Sequence, residues 1–153
     1  MISAKVGLSH QEGRQQVARR ADDLDPVIAS LLRQRGAAGE GVDLFLDIHG
    51  DEEIPHVFTA GCEGNPGYTP RLAALEEEFR SRLVGIGAEF QTRFGYPRDE
   101  PGKANLTLAC NAVGQAFDCL SFTIEMPFKD HDDRPQPRTG WNGARSKQLG
   151  RDV

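Results

Sequence analysis

The segment Cys119-Leu120-Ser121-Phe122-Thr123-Ile124-Glu125 alternates apolar and polar side chains from Leu120 onward. A two-residue period is that of a β-strand, with Leu120, Phe122 and Ile124 on a packed face and Ser121, Thr123 and Glu125 on the other. Met126-Pro127 is expected to end the strand, because proline cannot donate to a ladder. Glu125 then stands at the strand's carboxyl end, on its polar side.

Working outward, Val42–Ile48 reads as a second, buried strand bounded by Gly41 and Gly50, with His49 at its carboxyl end. His56–Ala60 fits a short third strand. Asp25 and Pro26 are start signals for a helix whose stripe is Val27, Ile28, Leu31 and Leu32, stopped by Gly36. Thr69 can cap another helix with Pro70 at its first position. In that helix Leu72, Leu75, Phe79, Leu83 and Ile86 recur at three- and four-residue steps as one buried face, with Glu76, Glu77 and Glu78 on its solvated side. Phe90–Tyr96 is expected to be extended. Leu106–Ala116 reads as a third helix and Ala144–Leu149 as a short last one. Residues 1–20 show no sustained period and form a poorly specified N-terminal segment, so the folded unit is expected over 21–153.

Helices alternating with buried strands predict an α/β fold, a partial three-layer α/β/α sandwich around a mixed sheet. Ligands of such sheets gather beyond the carboxyl ends of the strands, where His49 and Glu125 both fall. His49 reads either as a metal ligand or as a structural histidine, and Glu125 either as a working carboxylate or as a surface glutamate. Asp47 shares a strand face with His49 and can orient its ring or be an ordinary polar strand-end residue. The spacing His49-x-x-Glu52 would grip a metal on a helix, but a strand end containing Gly50 does not provide that geometry. His56 is expected to face solvent, and His131, among Lys129, Asp130, Asp132 and Asp133, to lie in a hydrophilic loop.

Composition narrows the classes. The 153 residues carry a net charge of -5, with 38% hydrophobic and 27% charged residues, an ordinary globular profile. An acidic chain without a basic cluster is no general nucleic-acid binder. The longest apolar stretch, interrupted by Asp43 and Asp47, is far short of a membrane span. The polar start has no apolar core of a secretory signal. Cys62, Cys110 and Cys119 are widely spaced and odd in number, which points to a reducing cytoplasm rather than to a disulfide framework.

Three segments resemble a known family, the bacterial cytosolic-carboxypeptidase-like branch of the zinc metallocarboxypeptidases. Asp43–Pro55 resembles the strand and loop carrying that family's last zinc-binding histidine. Phe122–Asp130 resembles the strand carrying its catalytic glutamate, and Gly140–Arg145 a stretch downstream. The resemblance covers roughly residues 26 to 150 and implies an α/β/α sandwich with a mixed sheet. It implies zinc as cofactor, His49 as one zinc ligand, Glu125 as general base, and the C-termini of peptides or proteins as substrate. The family also has an upstream H-x-x-E pair and an Asn-Arg motif. Neither precedes His49, since His10-Gln11-Glu12 has the wrong spacing and no asparagine occurs before Asn65. The chain is therefore expected to be the C-terminal portion of such a catalytic domain, binding zinc weakly and inactive alone. Two rival readings are an aminoacylase-like zinc hydrolase and a catalytically inactive binding or remnant module.

Overall fold

The structure is a computed structural model that describes residues 41–153. The expected helix between Asp25 and Gly36 and the segment 1–20 lie outside the described residues. The elements run β1 (Leu44–Asp51), β2 (Phe58–Ala60), α1 (Pro70–Ile86), α2 (Ala109–Phe117), β3 (Leu120–Pro127) and α3 (Gly143–Asp152).

The sheet is mixed, in the order β1-β3-β2. β1 and β3 pair in parallel from Leu44 opposite Leu120 to Asp51 opposite Pro127, and β2 pairs antiparallel with β3. β3 continues through Met126 and Pro127 instead of stopping before them.

Side-chain alternation sorts the core into two clusters. Leu46 and Ile48 of β1, with Ile124 and Met126 of β3, pack against Val57, Phe79, Leu83, Phe90 and Leu149. On the opposite face Phe45 packs with Val113, Cys119, Ala109 and Phe117. Helices α1 and α3 thus cover one face and α2 the other, giving three layers around the sheet. Phe122 is fully buried and stacks on Phe79 with ring centroids 4.8 Å apart. Burial of a side chain of that size contributes roughly 1.5–3 kcal/mol.

Coverage from both sides removes the solvent-facing side of β3 that alternation predicts. Ser121 is fully buried beneath α2, where its hydroxyl donates to the Cys110 carbonyl at 2.7 Å. Helix α2 comes this close because it presents Gly114 to the sheet. A Cβ there would stand 2.7 Å from Cys62 Sγ and 3.2 Å from Ser121 Cβ.

Helix α1 begins as its start signals predict, with Thr69 Oγ1 accepting from the Leu72 amide at 3.2 Å and Pro70 at the first turn. Its buried stripe differs from the expected one. Leu75 and Ile86 are exposed, whereas Glu76 is buried. Glu76 is tolerated because its carboxylate is fully engaged. It accepts from the Cys62 amide at 3.1 Å and the Tyr68 hydroxyl at 3.0 Å, and it lies 3.4 Å from Arg80. Arg80 in turn donates to Glu63 at 2.6 Å. Burial, followed by the nearby Glu63 charge, pushes the Glu76 carboxyl above its ordinary value.

Helix α2 starts three residues later than periodicity predicts. Asn105 Oδ1 accepts from the amide and hydroxyl of Thr107, holding that segment in a turn. Helix α3 is longer at both ends than the expected Ala144–Leu149, and Asn142 sets its start by accepting from the Ala144 and Arg145 amides.

Candidate active site

Three strands deliver one row of side chains. His49 on β1, Glu125 on β3 and Phe58 on β2 are register partners across the sheet. Laterally paired residues project from the same face. On that face α2 packs over the end nearer Phe45 and Ser121, while Asp47, His49 and Glu125 lie toward the carboxyl end. Both sequence-derived candidates therefore meet at one edge of the sheet.

The two have different surroundings. The His49 side chain is 47% exposed, and its Nε2 lies 2.8 Å from Asp47 Oδ1. Asp47 thus fixes the ring and leaves Nδ1 available as a donor atom, the arrangement seen when a carboxylate orients a metal-bound histidine. The hydrogen bond that the His49 ring donates to Asp47 raises the His49 pKa, opposed by partial desolvation and aided by the charges of Asp47 and Glu125.

Glu125 is 5% exposed. Its Oε1 accepts from the Tyr96 hydroxyl at 3.1 Å, and its Oε2 is buried without a hydrogen-bond partner. Burial pushes its pKa up to about 7, against the opposing effects of His49 and Tyr96. A carboxyl poised near neutrality with one oxygen unengaged suits proton transfer.

Tyr96 and Asp51 complete the cluster, and no pattern in the sequence singles them out. The Tyr96 ring stands edge-on to Phe58, centroids 4.9 Å apart, and its single hydroxyl proton is shared between Glu125 Oε1 and Asp51 Oδ2, the latter at 2.6 Å. The expected extended run Phe90–Tyr96 is instead a turn. Gln91 Oε1 accepts the amides of Arg93 and Phe94, and this turn brings Tyr96 back over the sheet edge. No local pattern marks Tyr96, since its role depends on a contact 29 residues away in the chain.

Glu52 is exposed beyond the end of β1, so the His49-x-x-Glu52 spacing forms no helical pair. Two histidine expectations need correction. His56 is 6% exposed rather than solvent-facing, and His131, which does lie in the loop after β3, is 1% exposed despite its hydrophilic neighbours. His56 stacks on Phe94, and His131 is held by hydrogen bonds to the backbone at both ring nitrogens. His10 lies outside the described residues.

The downstream segment braces the loop after β3. The Trp141 amide donates to the Lys129 carbonyl at 2.6 Å. Arg145 forks onto Glu89 at 2.8 and 3.2 Å, reaches Asp130 at 3.0 Å and lies over the Trp141 ring. Such a planar fork fixes orientation as well as charge.

The imidazole with a free Nδ1 and an orienting carboxylate fits one zinc ligand, and the unengaged Glu125 oxygen fits a neighbouring base. Catalytic zinc ordinarily has three protein ligands. Among the described residues, the one group of three potential ligands within reach of one another is His56, His131 and Asp133, which does not include His49.

No family model matches the chain. Over 81% of its length it is similar to a metallo-carboxypeptidase from Pseudomonas aeruginosa, solved in complex with (2-guanidinoethylmercapto)succinic acid, at 69% identity and a TM-score of 0.74. A metallo-carboxypeptidase from Burkholderia cenocepacia matches 82% of the chain at 39% identity and a TM-score of 0.72. An uncharacterized protein of Zymomonas mobilis is 51% identical over 112 residues, 73% of this chain. The fold and these likenesses together place the chain in a metallo-carboxypeptidase-like family. It spans about a third of its relatives' length: 30% of the Zymomonas protein and 33% of each of the two solved chains.

Proposed function

We propose that this chain carries the His49–Glu125 part of a zinc-dependent metallocarboxypeptidase that removes C-terminal residues from peptides or proteins. The observation that carries the reading is the register pairing of His49 with Glu125 at one sheet edge. The likeness to metallo-carboxypeptidases supports it, as does the succinic acid derivative bound by the Pseudomonas protein.

His49 contributes one imidazole nitrogen, oriented by Asp47. Glu125 is the general base: it takes a proton from the attacking water and returns it to the leaving amine. A carboxyl raised toward neutrality accepts that proton with little driving force against it and then holds it long enough to deliver it. Tyr96 keeps Glu125 in place from above. Zinc, when bound, polarises the scissile carbonyl and acidifies the attacking water. The remaining two protein ligands and the group that binds the substrate's terminal carboxylate are assigned to the two-thirds of the family's length that this chain does not match. The odd number of cysteines supports work in a reducing cytoplasm, where Cys62 and Cys110, whose sulfurs lie 3.5 Å apart, stay as thiols.

The test is a polypeptide extended to the length of its relatives, loaded with zinc and offered C-terminally varied peptides beside N-acyl amino acids. Release of C-terminal residues is expected. Hydrolysis of N-acyl amino acids alone would transfer the chain to the aminoacylase class, and hydrolysis of neither would leave a non-catalytic module.

A further inference from the structure

We propose that His56, His131 and Asp133 form a second metal site, for a divalent transition ion such as zinc or cobalt, separate from His49. The inference rests on their geometry alone and stands whether or not the chain belongs to an active peptidase.

One ligand atom from each of the three residues lies within 4.8 Å of the others. His56 Nδ1 stands 3.5 Å from Asp133 Oδ2. Two donors bound at 2.0–2.1 Å to a tetrahedral zinc are about 3.3–3.4 Å apart, so this edge of the site is already nearly the right length. His56 Nδ1 is also buried without a hydrogen-bond partner, a costly condition for a polar atom unless something binds it.

The rings are held ready. His131 Nε2 is 3.0 Å from the Glu89 carbonyl, which requires that this nitrogen carry the proton. Nδ1 of His131 therefore holds the lone pair, the state needed of a ligand whose other nitrogen is anchored to a carbonyl. Its present partner is a backbone amide, that of Asp133, at 3.2 Å. His56 stacks flat on Phe94, centroids 4.3 Å apart, and meets His131 edge-on at 89°. The Asp132 amide bonds the Pro55 carbonyl at 2.9 Å, tying together the loops that carry the ligands.

Access and competition are both visible. An open cleft of about 480 Å³ is lined by His56, Arg93 and Asp132 and so borders the cluster on the His56 side. Arg93 currently donates to Asp133 Oδ2 at 2.7 Å. Its side chain is 65% exposed, and exposed ion pairs of this kind are weak. An entering cation displaces Arg93, and the ion would then clip the segment before β2 to the loop after β3.

The test is titration of the metal-free 153-residue chain with Co²⁺ and with Zn²⁺, followed by visible spectroscopy and equilibrium dialysis. One equivalent is expected, with a nitrogen- and oxygen-ligated cobalt spectrum lacking thiolate bands, and retained in His49→Ala. Asp133→Asn and His56→Phe should each weaken it by at least roughly tenfold. Arg93→Gln should tighten it, because it removes the competing cation. Asp133 and Arg93 are exposed at their tips, so these two variants remain informative if His56→Phe fails to fold. The proposal is overturned by no binding at micromolar metal, by loss of the ion in His49→Ala, or by affinity unchanged in both Asp133→Asn and Arg93→Gln.

Discussion

His49 and Glu125 stand opposite each other on adjacent parallel strands, one exposed and tethered by Asp47, the other buried beneath Tyr96. Parallel pairing brings two strand ends to the same edge, so residues 76 positions apart in the chain share one face. A ligand and a base that must reach the same water need this kind of placement. In an extended, zinc-loaded polypeptide, Glu125→Gln should lower peptide turnover by about 10²–10⁴-fold. Zinc content should be unchanged, because Glu125 is assigned no bond to the ion. Turnover within a few-fold of the parent, measured alongside metal content, would remove Glu125 from the role of base.

Gly114→Ala should destabilise the chain although alanine is the better helix former. Helix propensity favours alanine by about 1 kcal/mol. The added Cβ would meet Cys62 Sγ and Ser121 Cβ, both on buried, constrained side chains. Forcing extra volume into such packing costs typically about 1–3 kcal/mol. Urea unfolding should show a lower midpoint than the parent. A higher midpoint would mean that α2 can lift from the sheet at little cost.

Much of this architecture is legible in the chain. Alternation finds β3, the glycine-bounded apolar run finds β1, and Thr69-Pro70 marks the start of α1 to the residue. His49 and Glu125 stand out because each closes the apolar run of its strand, a local property, although both strands continue two residues further. The unread parts depend on distant partners. Glu76 looks like part of a solvated acidic run until Tyr68, Arg80 and the Cys62 amide close around it. His131 looks like an exposed loop residue until Glu89 and Trp141 pack over it. Tyr96 joins the site only because the Gln91 turn reverses the chain. Composition and period carry no information about such contacts.

Glu76 should give the chain a measurable pH dependence. Its carboxyl is raised above 4.5 in the folded chain, mainly by burial. Between 4.5 and that higher value the folded state keeps a proton that the unfolded state has lost. Stability therefore falls as the pH rises through this window and levels off above it. Glu76→Gln holds the group neutral throughout, so the variant's unfolding free energy should fall less over the same range. Denaturation series from acid to neutral pH, run on both proteins, check this. Parallel curves for the two would show that Arg80 keeps Glu76 ionised and that the burial effect is offset.

The 153-residue chain alone should show no carboxypeptidase activity, even when it holds a metal ion. His49 is one imidazole, and an ion held by one or two protein ligands exchanges readily with solvent. Asp47 holds the ring at Nε2, away from the open Nδ1, and Glu52 is exposed beyond the end of β1. The His56, His131 and Asp133 cluster can hold an ion, but none of the three is a register partner of Glu125 or bonded to it. An ion there would raise the unfolding temperature, since it binds only the folded chain, without supplying a water to the base. The check combines metal analysis after dialysis, thermal unfolding, and turnover of peptides ending in Glu, Lys and Phe. The expected result is retained metal, raised stability and no cleavage. Cleavage abolished by His49→Ala would show that further ligands reach His49, from residues 1–40 or from a second copy of the chain, and His10 and Glu12 would be the first positions to substitute.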